Sequence, residues 1–306
     1  MTQIEEARTE LSGFMKQASI SQKQIADECG LSTTVISQFL NGTYTGNNSN
    51  VADIVTKYLV MARKRLLYKE TTHFYPKLEN TKKVLGAVEY AHKSSDMILI
   101  RGESGAGKTT ALKYYAEQNP GVHYLTANAA IRSASAILRK IAELIGKTVS
   151  KSTSQALMEL LIPYFYNTHR LIIIDEADHL TLNALQAIRN LNDEAGVGIV
   201  LAGNDKLYRQ MLDGTRNYEF DQIRTRIFLK PRIGNDYSEE DLSHIFSTDD
   251  KKLIASMTRF ARTDSLREAV KLYDFCAEHA LLLNTKLDYS FVKSAYEELR
   301  NDDSIV

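Results

Sequence analysis

Residues 102–109 place three glycines within six positions, followed directly by a lysine and a threonine. The segment follows a short apolar run at residues 97–100 and precedes a stretch with helical periodicity at residues 110–118. Glycines let backbone N–H groups approach a phosphate that a β-carbon would keep away, and a helix that begins there directs its positive end at the same group. A strand, a glycine-rich loop and a helix in this order predict a site for a nucleoside triphosphate.

Two side chains of this loop have predicted roles of their own. Lys108 is expected to reach the β- and γ-phosphates, and the hydroxyl of Thr109 is expected to ligate Mg²⁺. The predicted cofactors are therefore ATP and magnesium. The residues assigned to phosphate binding are Gly102, Glu103, Ser104, Gly105, Ala106, Gly107, Lys108, Thr109 and Thr110.

Polar residues follow two further apolar runs. Asp175, after residues 171–174, is expected to hold the Mg²⁺ shell, and Glu176 is expected to polarise the attacking water. A solvated acidic turn is the alternative for this pair. Asn204 follows the run at residues 198–201, and we assign it to the γ-phosphate and the water, as in P-loop ATPases with an inserted central strand. A simple turn-forming asparagine is the alternative there.

Residues 175–178 also spell Asp-Glu-Ala-Asp, which is a signature of RNA helicases. Those helicases carry a Ser-Ala-Thr element and a His-Arg-x-Gly-Arg element downstream, and the sequence contains neither. The chain of 306 residues is also too short for two full helicase lobes. The sequence therefore argues against a helicase of this class.

Short apolar runs alternate with helical stretches through the middle of the chain, at residues 97–100, 122–126, 171–174, 198–201 and 227–229. Such runs are typical of a parallel sheet covered by helices on both faces, so we predict an α/β fold. The two ends of the chain are predicted to be helical throughout. The predicted domains are a helix-turn-helix unit at 1–67, a linker at 68–77, an ATPase core at 78–232 and a helical lid at 233–306.

Residues 22–40 have the pattern of a helix-turn-helix. Residues 22–29 form the first predicted helix, Gly30 permits the positive φ of the turn, and Ser32 caps a second helix that reaches Leu40. The side chains available to phosphates or base edges on the second helix are Thr33, Thr34, Ser37 and Gln38. None is charged, and residues 1–68 hold 7 basic and 6 acidic groups, so weak and poorly sequence-selective DNA binding is expected. A unit that docks a protein is the alternative.

Taken together, these motifs resemble the AAA+ ATPases over residues 75–300. The resemblance implies that an arginine of one subunit enters the ATP site of its neighbour, a role that Arg226 matches best, with Arg224 as the substitute. It also implies a sensor arginine in the lid, which Arg267 matches. Residues 264–267 read Asp-Ser-Leu-Arg where Gly-Ala-Leu-Arg is expected. A surface arginine is the alternative for all three residues.

Within the AAA+ ATPases, the whole chain resembles the phage Mu B family, the ATP-dependent target-selection proteins of transposons. The stretches that carry this resemblance are residues 23–47, 173–180 and 200–204. The resemblance implies a protein that assembles on double-stranded DNA as a homo-oligomeric filament or ring, selects target DNA and activates a transposase. Arg132, Lys147 and Lys151 lie where similar ATPases place DNA-facing loops, and a solvated surface is the alternative for each.

Two other functions remain open from the sequence. A replication helicase loader shares the ATPase core and sometimes has a DNA-binding appendage. A transcriptional repressor would use the helix-turn-helix as its main function and the ATPase as a sensor. The near-neutral charge of the front unit argues mildly against the repressor.

The composition indicates the expected surroundings of the protein. Cys29 and Cys276 are the only cysteines and lie far apart in the sequence, which predicts a reduced intracellular protein. No segment approaches the ~20 apolar residues of a membrane span. We therefore expect a protein of the bacterial host cytoplasm without a membrane partner.

Overall fold

The computed structural model describes residues 3–70, 74–149, 152–212, 217–246, 248–283 and 285–301. The chain divides into two compact units, Met1–His73 and Phe74–Val306. Within the described ranges, no helix combines the length and the apolar content that crossing a bilayer requires.

The described part of the first unit contains the helices α1 Gln3–Ala18, α2 Gln22–Cys29, α3 Thr33–Leu40 and α4 Asn48–Glu70. Gly30 ends α2 in the left-handed conformation (φ 66°), and the Ser32 hydroxyl accepts a hydrogen bond from the Val35 N–H (3.2 Å) at the start of α3. Side chains from all these helices form one core, which includes Leu11, Ile25, Ile36, Phe39 and Val55. The structure thus contains the predicted helix-turn-helix, and α4 continues past residue 67 to Glu70.

The second unit is built around a five-stranded parallel sheet in the order β2-β3-β4-β1-β5. The strands are β1 Met97–Gly102, β2 Val122–Thr126, β3 Leu171–Asp175, β4 Gly198–Gly203 and β5 Arg232–Ile233. Because β4 is inserted between β1 and β3, the carboxyl ends of these three strands adjoin. The glycine-rich loop, the acidic pair and Asn204 each follow one of these strands. The topology therefore gathers the three predicted motifs at one edge of the sheet.

Helices cover the sheet on both faces: α5 Glu79–Ser94, α6 Lys108–Gln118, α7 Ala134–Leu144, α8 Ser154–Phe165, α9 Leu182–Ala195, α10 Asp205–Leu212 and α11 Asn217–Arg226. Side chains along a strand point to alternate faces. In β1, Ile98 and Ile100 pack in the cluster that contains α5 and α6, whereas Leu99 packs in the cluster that contains α7, α8 and α9. The predicted α/β fold is therefore confirmed.

The last strand differs from the prediction. The sequence predicts a strand at residues 227–229, but this segment forms only an isolated parallel bridge between Ile227 and Met97. The segment runs beside β1, and the Phe228 N–H donates to the Met97 carbonyl (2.9 Å). The regular strand β5 begins after Pro231, which has no N–H to contribute to a continuous ladder. The apolar pattern thus found the segment next to β1, but the predicted bounds were wrong.

The helices that follow β5 are α12 Glu239–Ser243, α13 Lys251–Thr263, α14 Leu266–Leu282 and α15 Tyr289–Asn301. They pack around an apolar cluster of their own, which includes Phe246, Leu253, Met257, Leu272 and Cys276. Burial raises the pKa of the Cys276 thiol to about 11. This cysteine is therefore a packing residue of the helical lid.

Candidate nucleotide-binding site

The glycine-rich loop joins the end of β1 to the start of α6. Three of its glycines have positive φ angles: 146° at Gly102, 77° at Gly105 and 87° at Gly107. A β-carbon at Gly102 would lie 1.8 Å from the carbonyl oxygen of Ile233, so this glycine is required by the packing of β5 as well as by the loop conformation. No described atom lies within 4 Å of the β-carbon position at Gly107, which leaves that side accessible to a phosphate.

Lys108 is the first residue of α6 and is only 9% exposed. Its Nζ donates hydrogen bonds to the carbonyl oxygens of Gly102 (3.0 Å) and Glu103 (2.7 Å). Burial lowers the pKa of Lys108, and the nearby carboxylates of Asp175 and Glu176 act in the opposite direction. An ammonium group shielded from water at the beginning of a helix attracts phosphate oxygens more strongly than a solvated one does.

Asp175 ends β3 and is only 2% exposed. Its Oδ2 accepts hydrogen bonds from Thr109 Oγ1 (2.6 Å) and Tyr124 Oη (3.0 Å), and its Oδ1 accepts one from the Glu176 N–H (2.9 Å). The structure therefore brings together Thr109 and Asp175, the two predicted magnesium ligands. Carboxylate and hydroxyl oxygens are ligands that Mg²⁺ accepts, so the residues present fit a magnesium ion.

Glu176 follows Asp175 in the left-handed conformation (φ 54°, ψ 36°). This conformation is unfavourable for a residue with a β-carbon, and such strain is frequently found at functional positions because the surrounding structure maintains it. The side chain is exposed at the edge of the sheet. Glu176 is thus held in a strained turn with its carboxylate accessible to solvent, as a residue that activates water requires.

Asn204 follows β4 and is bound to the turn after β3. Its Nδ2 donates to Asp178 Oδ2 (2.8 Å), and its backbone N–H donates to Asp178 Oδ1 (3.2 Å). Its Oδ1 accepts a hydrogen bond from the Lys206 N–H (2.8 Å). A β-carbon at Gly203 would lie 2.6 Å from Asp178 Oδ1, so the close approach of the two segments requires glycine. Asp178 therefore fixes the orientation of Asn204 at the edge of the sheet.

The first turn of α14 lies against the glycine-rich loop. A β-carbon at Gly105 would lie 2.9 Å from the Cβ of Ser265 and 3.3 Å from the Cβ of Arg267. Ser265 is buried and caps α14, with its hydroxyl accepting a hydrogen bond from the Glu268 N–H (3.2 Å). The side chain of Arg267 is exposed. The predicted lid arginine is thus beside the loop, although residues 264–267 depart from the expected Gly-Ala-Leu-Arg sequence.

Arg224 and Arg226 lie in the last turn of α11. Arg226 Nε is 3.1 Å from Asp193 Oδ1 on α9, and Arg224 Nη2 is 2.9 Å from Asp221 Oδ1 on α11. The Arg226 side chain is 57% exposed, and the Arg224 side chain is 44% exposed. Their ion-pair partners therefore lie on helices and not in the glycine-rich loop, and both guanidinium groups are accessible to another molecule.

The side chains assigned to DNA on α3 are oriented by the packing of the opposite helix face. Ile36 and Phe39 are completely buried in the core of the first unit. Ser37 is half-buried, and the exposed side chains of the outer face include Thr33, Thr34 and Gln38. The predicted contact face is therefore presented to solvent.

The basic residues assigned to DNA in the second unit flank α7. Arg132 is exposed before this helix, and Lys147 is exposed after it. The backbone carbonyl of Arg132 accepts hydrogen bonds from the N–H (3.0 Å) and the hydroxyl (3.2 Å) of Thr181, which hold this segment in place. Lys151 lies outside the described residues.

The structure adds to the site three residues that have no role predicted from the sequence: Tyr124, Asp178 and Ser265. Burial raises the pKa of Tyr124, so its hydroxyl stays protonated and donates to Asp175 near neutral pH. The register of β2 against β3 pairs Thr126 with Asp175, and alternation places Tyr124 on the same side of β2 as Thr126. This register is the signal that would have found Tyr124, but it depends on knowing the strand order.

Comparisons with known proteins identify a matching family and related proteins. The family described as "AAA domain" matches residues 91–211. The "Mu-like prophage FluMu DNA transposition protein B" of Haemophilus influenzae is 31% identical over 221 residues, which cover 71% of this chain and 76% of that protein. The "ATP-dependent target DNA activator B" of Escherichia phage Mu is 30% identical over 230 residues, which cover 75% of this chain and 73% of that protein.

A solved structure of Drosophila ORC bound to DNA is similar to this chain, with a TM-score of 0.51 and 17% identity. The match covers 76% of this chain and 65% of that chain, which is less than two thirds of its length. At this low identity the likeness concerns the fold alone.

Proposed function

Because this chain belongs to the phage Mu B family of DNA transposition proteins, we propose that it assembles on DNA with ATP, captures that DNA as a transposition target and activates a transposase. The observation that carries the proposal is the contact of Thr109 with Asp175 beside the buried Lys108. Binding of ATP with magnesium requires this arrangement of groups. The names of the relatives, a DNA transposition protein and an ATP-dependent target DNA activator, support the link to transposition.

The chain is a member of the ATP-binding AAA family, and we assign nucleotide binding to residues 102–110. Lys108 Nζ now donates to two loop carbonyls, and phosphate oxygens would replace these acceptors. Thr109 and Asp175 would hold magnesium, which when bound neutralises part of the charge on the β- and γ-phosphates. These roles support the assignment of ATP and Mg²⁺ as cofactors.

Hydrolysis of ATP is assigned to residues at the edge of the sheet. Glu176 accepts a proton from the attacking water, since its exposed carboxylate follows the magnesium ligand by one residue. Asn204 positions the γ-phosphate or the water from the place where Asp178 holds it. Arg267 adds positive charge on the lid side of the loop.

We assign the role of the trans-acting arginine to Arg226, with Arg224 as the substitute. Both side chains are exposed, and their ion-pair partners Asp193 and Asp221 lie on helices α9 and α11. An arginine that reaches the γ-phosphate of a neighbouring subunit stabilises the charge of the transition state. The ATP site would then be complete only within a filament or ring of identical subunits.

The coupling of ATP to DNA binding follows from this assembly. The helix-turn-helix of one subunit offers Thr33, Thr34, Ser37 and Gln38, which are uncharged and give weak binding. Subunits joined through ATP present many such faces to the same duplex, and linked weak contacts produce strong binding. Arg132, Lys147 and Lys151 are candidates for additional phosphate contacts. Hydrolysis would weaken the assembly and release the DNA.

The two rival functions receive less support. A helicase loader shares the ATPase fold, but the relatives carry names from DNA transposition. A repressor needs strong binding at one operator, and residues 1–68 lack the excess of positive charge that would supply it. A protein that acts on the DNA of a bacterial host would work in the host cytoplasm.

The proposal is tested by comparing ATP binding, ATP turnover and DNA binding in three variants. Lys108→Ala should weaken ATP binding at least about 30-fold, because it removes a buried charged partner of the phosphates, and should abolish ATP-dependent DNA binding. Glu176→Gln should keep ATP-dependent DNA binding and lose turnover by about 100-fold or more. Lys83→Ala, which removes an exposed lysine from α5, is the control and should behave like the unmodified protein. Unchanged ATP-dependent DNA binding in the Lys108 variant would contradict the proposal.

The trans-acting arginine is tested by mixing two inactive variants. A subunit with Arg226→Ala keeps its proposed magnesium ligands and its water-activating residue. A subunit with Glu176→Gln keeps an intact Arg226. In a mixed assembly, Arg226 of the second variant should complete the ATP site of the first and restore part of the ATPase activity. The same mixture with Arg224→Ala in place of Arg226→Ala identifies which arginine acts. Absence of any recovery, with mixed assembly demonstrated by pull-down, would contradict action in trans.

A further inference from the structure

The carboxylate of Asp175 is held by donors from three different parts of the fold. Thr109 at the start of α6 and Tyr124 on β2 both donate to Oδ2, at 2.6 and 3.0 Å, and the Glu176 N–H donates to Oδ1 at 2.9 Å. Thr109 is itself a proposed magnesium ligand, so its hydroxyl would be shared between the metal and Asp175. Tyr124 provides a side-chain contact to Asp175 from a residue that is not a proposed ligand.

Tyr124 is well fixed for such a role. Its ring is partly buried in the apolar cluster between the sheet and helices α5 and α6. The Thr126 hydroxyl donates to its Oη (3.2 Å), and Lys113 Nζ lies 5.8 Å from the centroid of its ring. The Tyr124 hydroxyl therefore accepts one hydrogen bond from its own strand and donates its proton to Asp175.

We propose that Tyr124 is a positioning residue, whose hydroxyl keeps Asp175 in the orientation that binds magnesium. The inference rests on the proposed function as an ATP- and magnesium-dependent protein. Partners that orient a metal ligand from behind typically change metal affinity by about 10-fold or more when they are removed. Loss of the Tyr124 hydroxyl should therefore raise the magnesium concentration needed for nucleotide binding, without changing the loop that holds the phosphates.

The test is a magnesium titration of the binding of a fluorescent ATP analogue to the full chain. Tyr124→Phe removes the hydroxyl and keeps the ring, so half-saturation should need about 10-fold more magnesium. Binding of the analogue in EDTA should stay unchanged, which shows that the variant is folded. Tyr115→Phe is the matched control, because Tyr115 is also partly buried in this cluster and its hydroxyl contacts His92 Nδ1 (3.0 Å), away from Asp175.

The outcomes separate this inference from the proposed function. A Tyr124→Phe titration that overlays that of the unmodified protein would overturn the inference and leave the proposed function intact. An equal shift in Tyr115→Phe would also overturn it, since the effect would then be a general consequence of losing a core hydroxyl. If the unmodified protein binds the analogue without any dependence on magnesium, the proposed function itself fails.

Discussion

The nucleotide edge of the second unit, which carries Lys108 and Asp175, and the outer face of α3 in the first unit differ in charge and burial. Both are proposed to bind phosphates. The nucleotide edge uses buried charged groups, with Lys108 at 9% and Asp175 at 2% exposure, fixed by hydrogen bonds from several elements. The face of α3 uses uncharged, mostly exposed side chains on a unit with 7 basic and 6 acidic groups in residues 1–68.

This difference indicates where the binding energy of each region comes from. A preorganised, partly dehydrated site binds a single ligand strongly, because little free energy is spent on ordering its groups. A neutral, solvated face binds each phosphate weakly and gains strength only through repetition along the duplex. We therefore expect the ATP site to bind its ligand strongly by itself, and the α3 faces to bind DNA strongly only when ATP places several of them on the same duplex.

The largest expected effect concerns the rigidity of the two regions and uses the same substitution at two glycines. Gly102→Ala places a β-carbon 1.8 Å from the Ile233 carbonyl oxygen, so the second unit should lose more than about 4 kcal/mol of unfolding free energy. Beyond its chain neighbours, Gly30→Ala meets no described atom within 4 Å, and it should cost only about 1–2 kcal/mol through its left-handed backbone. Urea unfolding followed by circular dichroism measures both. Equal losses in the two variants would show that the nucleotide edge is no more tightly constrained than α3.

A smaller effect is expected from adding charge to the face of α3. Gln38→Arg should raise the affinity for duplex DNA severalfold and steepen the dependence of log affinity on log salt by about one unit. Gln17→Arg adds the same charge to an exposed position of α1 and is the control. Fluorescence anisotropy at several salt concentrations distinguishes the two variants. If both gain equally, α3 is not the face that contacts DNA.

The smallest expected effect is a pH dependence of stability that belongs to the second unit. His123 on β2 lies edge-on to the ring of Phe165, and its Nε2 is buried with no hydrogen-bond partner among the described residues. Burial lowers the pKa of His123, and the charge of Arg170 lowers it further. The unfolded chain, with a histidine pKa of about 6.5, therefore binds a proton before the folded chain does, and stability decreases as the pH falls below that value.

The effect is measured as the free energy of unfolding in urea between neutral and mildly acidic pH. One proton changes this free energy by at most about 1.4 kcal/mol per pH unit. His123→Phe should remove part of the slope, whereas the same change at the exposed His244 should not. His123 lies in the second unit, so unfolding of the first unit should lack this contribution. A full slope in His123→Phe would show that the acid sensitivity arises elsewhere.

Local signals in the sequence were sufficient for much of the fold and part of the site. The helix-turn-helix was predicted with its bounds because Gly30 and Ser32 act on their immediate neighbours. The strands that carry the loop, Asp175 and Asn204 were found from apolar runs next to polar residues. The family resemblance predicted the lid arginine, and the structure places Arg267 beside Gly105.

Contacts between segments distant in sequence were not predictable in the same way. The bond from Tyr124 to Asp175 requires β2 to be the neighbour of β3, and the bond from Asn204 to Asp178 requires β4 to be its other neighbour. The packing of Ser265 on the loop depends on how the lid folds back. Such contacts are set by topology, which no short sequence pattern encodes.

The central claim, that ATP converts many weak DNA contacts into strong binding, is tested most directly by varying the length of the DNA. The affinity of the full chain is measured by fluorescence anisotropy for a duplex that fits one subunit and for a duplex several times longer, with ATP, with ADP and without nucleotide. We predict that, with ATP, the affinity for the long duplex is about 100-fold or more higher than the affinity for the short duplex. An affinity that is the same for both lengths, or that does not depend on ATP, would contradict the account.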